Sequence, residues 1–190
     1  MSSAPGPVQR ILGVDPGTTV LGYGIIEIPT SQKPRILELG TLQLHKYAEH
    51  ARRLQVIHTR LTALIDTHRP QVMAIEAPFF GKNPQSMLKL GRAQGVAMAA
   101  AMGRDLEVYE FAPRKIKQSV VGNGNASKEQ LAAMLTKQFQ LDAGRYLLDA
   151  TDALATALCY FYQSRSPLGV QNGKKGGWDA FLKANPGRVK

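Results

Sequence analysis

The sequence predicts an α/β fold built on a five-stranded mixed sheet, three antiparallel strands extended by two parallel ones, with helices on both faces. Three observations carry that expectation. Three strand-like segments open the chain with no helix between them, two short apolar strands follow, each reached through a helical stretch, and helices close the chain. Strands in direct succession make a meander, and strands reached through helices add in parallel.

The opening segments are Arg10-Ile11-Leu12-Gly13-Val14-Asp15 and Val20-Leu21-Gly22-Tyr23-Gly24-Ile25-Ile26, joined by Pro16-Gly17-Thr18-Thr19. Two β-favouring runs flanking a Pro-Gly turn read as a hairpin with Asp15 at its rim. The third strand, Arg35 to Leu44, largely alternates apolar with polar residues, as a half-buried antiparallel strand does. From Glu49 to Thr67, Leu54, Ile57, Leu61, Leu64 and Ile65 form a helical stripe that leaves Arg52, Arg53 and Arg60 mostly off it, and Arg69-Pro70 ends the helix. Gln71-Val72-Met73-Ala74-Ile75-Glu76 fits a buried strand stopped by Ala77-Pro78. Asn83 as cap and Pro84 at the first position start a helix running to about Met102, on which Gly91 and Gly95 let another helix approach, within the domain or across a dimer. Leu106 to Phe111 is the fifth strand, and Pro113 opens a short helix bearing Arg114, Lys115 and Lys117. Ser127 with Gln130 has the capping-box pattern. In the final helix Ala150, Leu154, Ala157, Leu158 and Phe161 form one buried stripe, which sets Asp149 and Asp152 together on a different face.

Composition narrows the partners. The 190 residues suit one domain, expected over 9–165, between a disordered lead-in at 1–8 and a flexible basic tail at 166–190. Twenty-four Lys and Arg against fourteen Asp and Glu leave a net charge of +10, a field that favours a polyanion, nucleic acid first. A single cysteine, Cys159, excludes an internal disulfide and a multi-cysteine zinc site. No apolar run approaches a membrane span, so a cytoplasmic protein with no membrane partner is expected.

Chemistry concentrates in carboxylates. Asp15 ends the first strand and Glu76 the fourth, so parallel neighbours would bring both to one sheet edge, within reach of Asp149 and Asp152. Any one of them has an ordinary explanation: a turn Asp, a helix cap, a first-turn acid. Their coincidence does not. Four carboxylates with no His or Cys companion make a hard-oxygen site for Mg²⁺ or Mn²⁺, and two such ions roughly 4 Å apart can drive phosphodiester hydrolysis. Phe79 and Phe80, just past Glu76, are placed to stack on bases, and Lys82, Arg114, Lys117 and Lys128 to contact phosphates. Residue chemistry alone leaves three other classes open: a non-catalytic structure-specific DNA binder, an RNase H-like nuclease acting on RNA, and a phosphotransferase using the Asp15 loop.

Along residues 9 to 165 the chain resembles the RuvC family of Holliday-junction resolvases. The matching motifs are Gly-Val-Asp-Pro-Gly at 13–17, Ala-Ile-Glu at 74–76, Lys-Asn at 82–83, Leu-Lys-Leu-Gly at 88–91, Val-Val-Gly at 120–122 and Asp-Ala-Thr-Asp-Ala-Leu-Ala at 149–155. The resemblance implies a ribonuclease H-like fold and a homodimer. It implies Mg²⁺-dependent paired nicking of four-way junction DNA that leaves ligatable 5′-phosphate and 3′-hydroxyl ends, in recombination and repair. It also implies a catalytic metal-binding set of Asp15, Glu76, Asp149 and Asp152, a base-contacting aromatic at Phe79, functional lysines at Lys117 and Lys128, and RuvA and RuvB as partners.

Overall fold

A computed structural model describes residues 9–29, 33–78, 83–142 and 148–165. β1 (Gln9–Asp15) and β2 (Val20–Ile28) pair antiparallel across the Pro16-Gly17 turn, with Asp15 opposite Gly22. β3 (Arg35–Gln43) completes the meander, and a 3-10 turn at Leu44–Lys46 takes the last residue expected in the strand. α1 (His50–His68) leads to β4 (Val72–Glu76), parallel to β1, and α2 (Pro84–Met102) leads to β5 (Glu107–Phe111), parallel to β4. The sheet order is β3-β2-β1-β4-β5, the mixed arrangement the sequence predicts. α3 (Pro113–Val121), α4 (Lys128–Phe139) and α5 (Leu148–Ser164) close the chain.

The local stops and starts have local causes. The Asn83 side chain accepts from the Gln85 and Ser86 amides at 3.0 and 3.2 Å, and Ser127 with Gln130 forms the full capping box, which satisfies otherwise orphaned N–H groups. Arg69 ends α1 in the left-handed region, at φ 48°, where its amide reaches the Ile65 carbonyl.

Strand parity then assigns the two faces. Leu12, Val14, Met73 and Ile75 pack with α1 and α2, whereas Ile11, Val72 and Ala74 pack with α3, α4 and α5. Counting on by two places Asp15 and Glu76 on the α5 side. Because Val14 pairs with Ile75, the two carboxylates end adjacent parallel strands side by side.

α5 corrects one expectation. It carries no single buried stripe: every residue from Ala150 to Phe161 is buried, Asp152 among them, because the helix lies across β1, β2 and β4 with α3 and α4 against its other flank. A helix apolar all round is a core helix. Two glycines permit the close approach. A Cβ at Gly13 would stand 2.1 Å from the Ala153 carbonyl oxygen, and one at Gly22 would stand 1.9 Å from that of Asp149. Gly91 and Gly95 instead face away from the described chain, with nothing within 4 Å of a Cβ at either, so no helix among the described residues packs against them.

At the opposite end of the sheet, buried Glu27 accepts from Arg10 Nε at 2.8 Å and is paired with Arg35. No helix among the described residues is long and apolar enough to cross a membrane. The lead-in at 1–8 and the tail at 166–190 lie outside the described residues.

Candidate metal centre

Two elements deliver the site. β1 ends at Asp15, and α5 presents Asp149 in its first turn and Asp152 one turn later; one carboxylate oxygen from each lies within 4.8 Å of the others. Glu76 stands outside this three-way group, although its charge is felt strongly by Asp15. The four predicted carboxylates therefore form a triad with a fourth member beside it.

Burial and mutual repulsion make the cluster uncomfortable without a cation. Asp15 is pushed from 3.8 up to about 8, first by burial and then by the Glu76 charge, with Asp152 and Asp149 adding to it. Glu76 rises from 4.5 to about 7, through burial and then Asp152. Asp152 is also raised, mainly by burial, although its ion pair with Lys128 opposes the shift. Lys128 responds in kind: burial alone would lower its pKa, but the hydrogen bond to Asp152 and the surrounding carboxylates outweigh it. Lys117, half-buried on α3, also favours the charged forms of Glu76 and Asp152.

This donor set fits a hard divalent cation. All the ligand atoms are carboxylate oxygens, and Mg²⁺ at 2.0–2.1 Å from each ligand spans oxygens up to about 4.2 Å apart. Cis ligands on such an ion stand about 2.9 Å apart, so the triad, whose oxygens lie within 4.8 Å of one another, would draw together on binding. A cation there would also remove the repulsion that raises Asp15 and Glu76.

The remaining predicted residues divide. Lys117 and Lys128 adjoin the carboxylates. Arg114 is exposed at the start of α3, its side chain packed along Gly124 of the following loop. Phe79, Phe80 and Lys82 lie outside the described residues.

Sequence reasoning missed Arg53. From α1 it donates to the Thr18 carbonyl at 2.9 Å and to the Tyr47 carbonyl at 2.7 Å, bracing the turn that follows Asp15. The Leu44 and His45 amides hold the same turn through the Thr19 carbonyl, at 2.8 and 2.9 Å. An arginine off the apolar stripe of an amphipathic helix reads as solvated, so nothing in the sequence marks this role. The glycine contacts beneath α5 did leave a signal: small residues at 13 and 22 facing a helix rich in alanine at 150, 153 and 157.

Comparison with known proteins agrees with this geometry. Residues 11–160 match the family model described as "Crossover junction endodeoxyribonuclease RuvC". A protein of that name from Cytophaga hutchinsonii is 52% identical over 189 residues, covering 99% of this chain and 92% of the relative. Another from Porphyromonas gingivalis is 50% identical over 188 residues, covering 97% of this chain and 99% of the relative. Among solved structures, T. thermophilus RuvC in complex with a Holliday junction substrate superposes with a TM-score of 0.74 at 27% identity, covering 84% of this chain and 98% of that one. The yeast mitochondrial Holliday junction resolvase Ydc2 shares the fold, with a TM-score of 0.63 at 14% identity over 84% of this chain and 80% of that one.

Proposed function

The chain belongs to the RuvC family of crossover junction endodeoxyribonucleases, and on that premise we propose that it resolves four-way DNA junctions by metal-dependent hydrolysis at Asp15, Glu76, Asp149 and Asp152. The observation that carries the proposal is the convergence of the Asp15, Asp149 and Asp152 oxygens within 4.8 Å, in surroundings that penalise the charge of Asp15 and Asp152. A fold stores such electrostatic tension where function uses it.

Mg²⁺ is the ion proposed, two per site with Mn²⁺ as a substitute, and it would supply an activated water and charge stabilisation at the leaving oxygen. The protein's own part is to hold the ligands. Asp15 is fixed by strand pairing and by the Arg53 brace behind its turn, while Asp149 and Asp152 are fixed by the packing of α5 on Gly13 and Gly22. Lys128 holds Asp152 in place and offsets the surrounding negative charge as a DNA phosphate enters. Hydrolysis without a covalent enzyme intermediate leaves 5′-phosphate and 3′-hydroxyl ends that a ligase can seal.

The working unit proposed is a homodimer, since two sites related by a two-fold axis can meet two symmetry-related phosphates of a junction. α2 is the proposed seam: Leu88 is 57% exposed and Met102 55%, and they flank the uncovered Gly91 and Gly95. Phe79 and Phe80 are assigned to the unpaired bases at the crossover, and Lys82, Arg114 and Lys117 to phosphates. RuvA and RuvB are the proposed partners, in the recombination and repair of DNA.

The test is cleavage of a labelled synthetic junction and of its linear arms, with Mg²⁺ and with chelator, by the wild type and Asp15→Asn. Paired, ligatable nicks confined to the junction are expected, and they should vanish with chelator and with Asp15→Asn while binding persists. Binding that is never followed by a cut under any divalent ion would make the chain a structure-specific DNA binder instead.

A further inference from the structure

Among the described residues β3 is the outermost strand on its side of the sheet, so one row of its backbone N–H and C=O groups has no strand there to pair with. Between that edge and the C-terminal end of α4 runs a groove of about 560 Å³. Ile36, Leu37, Leu39, Phe139 and Leu141 line it, and four of them, Ile36, Leu39, Phe139 and Leu141, also pack on the buried cluster beneath α5. The groove thus has an apolar floor continuous with the core, a polar rim that includes Lys33, Arg35 and Glu38, and an opening at the strand edge. An open strand edge beside partly buried apolar side chains can receive another segment of extended chain.

The place where the described chain ends says what covers it. Gln138 lines the groove, and its amide donates to the Tyr162 hydroxyl at 3.5 Å, two residues before α5 ends at Ser164. The described chain therefore ends close to the groove's rim. Residues 166–177 have an extended reach on the order of 40 Å, ample for a return to the rim. They lead to Trp178-Asp179-Ala180-Phe181-Leu182, three bulky apolar side chains within five residues, set among glycines and lysines. Nothing in the nuclease chemistry accounts for them.

We propose that Trp178, Phe181 and Leu182 of the chain's own C-terminal segment occupy the groove between β3 and α4 and cover the open strand edge. Burying a Trp, a Phe and a Leu takes three large apolar side chains out of water, which favours the docked arrangement. A short tether raises the segment's local concentration to the millimolar range, so its own chain outcompetes a separate peptide of equal affinity. The proposal stands apart from the nuclease reading, at the end of the sheet away from the carboxylates, and its test reads no cleavage.

Trp178 is the sole tryptophan, so its fluorescence reports the contact directly in the full-length protein. The expected result is blue-shifted emission and several-fold weaker acrylamide quenching than in a synthetic peptide spanning residues 172–190, independent of protein concentration. Leu141→Glu in the groove, and separately Phe181→Ser with Leu182→Ser in the segment, should each return emission and quenching to the peptide's values. Circular dichroism checks that the Leu141→Glu fold persists, and the segment variant leaves residues 9–165 unaltered. Peptide-like emission in the wild type would overturn the proposal, and so would shielding that neither variant relieves. Shielding that is lost on dilution would assign the groove to a second copy of the chain and overturn it equally.

Discussion

Asp15 is held where solvent offers it little help. Strand pairing and its close neighbours fix it, and burial with the Glu76 charge raises its pKa to about 8. A carboxyl whose folded pKa is raised costs stability once it is ionised. That cost begins as pH climbs past the unfolded value near 3.8, grows through neutrality and levels off above about 8. Asp15→Asn removes the charge and keeps the shape, so the metal-free variant should be more stable than the wild type at pH 8 by on the order of 2 kcal/mol, roughly 4–8 °C in Tm for a chain of this length. At pH 4 the two should melt almost together. Saturating Mg²⁺ should then raise the wild-type Tm and leave the variant's nearly unmoved, because stabilisation by a ligand requires a site that binds it. Calorimetric melts at the two pH values, with and without Mg²⁺, measure all of this. A wild type more stable than Asp15→Asn without metal would show that the cluster is not strained.

The element that makes the site is α5, and its seat on the hairpin is set by absent side chains. Gly22→Ala would place a methyl group 1.9 Å from the Asp149 carbonyl oxygen, a backbone atom that moves only if the helix moves. The expected outcome is a loss of about 1–3 kcal/mol in a denaturant titration together with junction cleavage below detection, since a lifted helix carries Asp149 and Asp152 away from Asp15. An active Gly22→Ala enzyme would refute this account of how the ligands are placed. These physical terms also explain what could be read in advance. Asp15 and Glu76 were legible because strand side chains alternate with period two and a proline closes each run, Pro16 and Pro78. Asp149 and Asp152 were legible as a pair three apart on a helix. The burial of α5 on every side was not, because alanines at 153, 155 and 157 look much the same whether they face sheet or water until the glycines opposite are matched to them. The separation of Glu76 from the triad was not legible either, since it depends on distances across elements. Arg53 was hidden because its role runs through backbone carbonyls, which leave no residue pattern.

Across the whole molecule the two ends of the sheet carry opposite electrostatic signs of stability. At the end remote from the carboxylates, Glu27 is buried yet held below its ordinary 4.5 by hydrogen bonds from Arg10 and then Arg35. Its contribution is present above that ordinary value and fades as pH falls through the lower folded one, so the wild type should lose stability below about pH 4.5 more steeply than Glu27→Gln, in melts taken across that range. The proposed DNA chemistry belongs to the other end, and the chain's net charge of +10 favours a polyanion. Counterion release makes the logarithm of junction affinity fall linearly with the logarithm of salt, by about 0.9 for each phosphate a cation neutralises. Lys128 is already paired with Asp152, so it brings DNA little uncompensated charge, whereas exposed Arg114 is free to meet a phosphate. Arg114→Ala should therefore flatten the salt slope by about 0.9, and Lys128→Ala should leave it nearly unchanged while abolishing most cleavage. Filter binding from low to moderate salt, in Ca²⁺ so that the junction stays intact, separates the two roles. If both substitutions flattened the slope equally, Lys128 would belong to the DNA-binding surface and its pairing with Asp152 would give way when the junction binds.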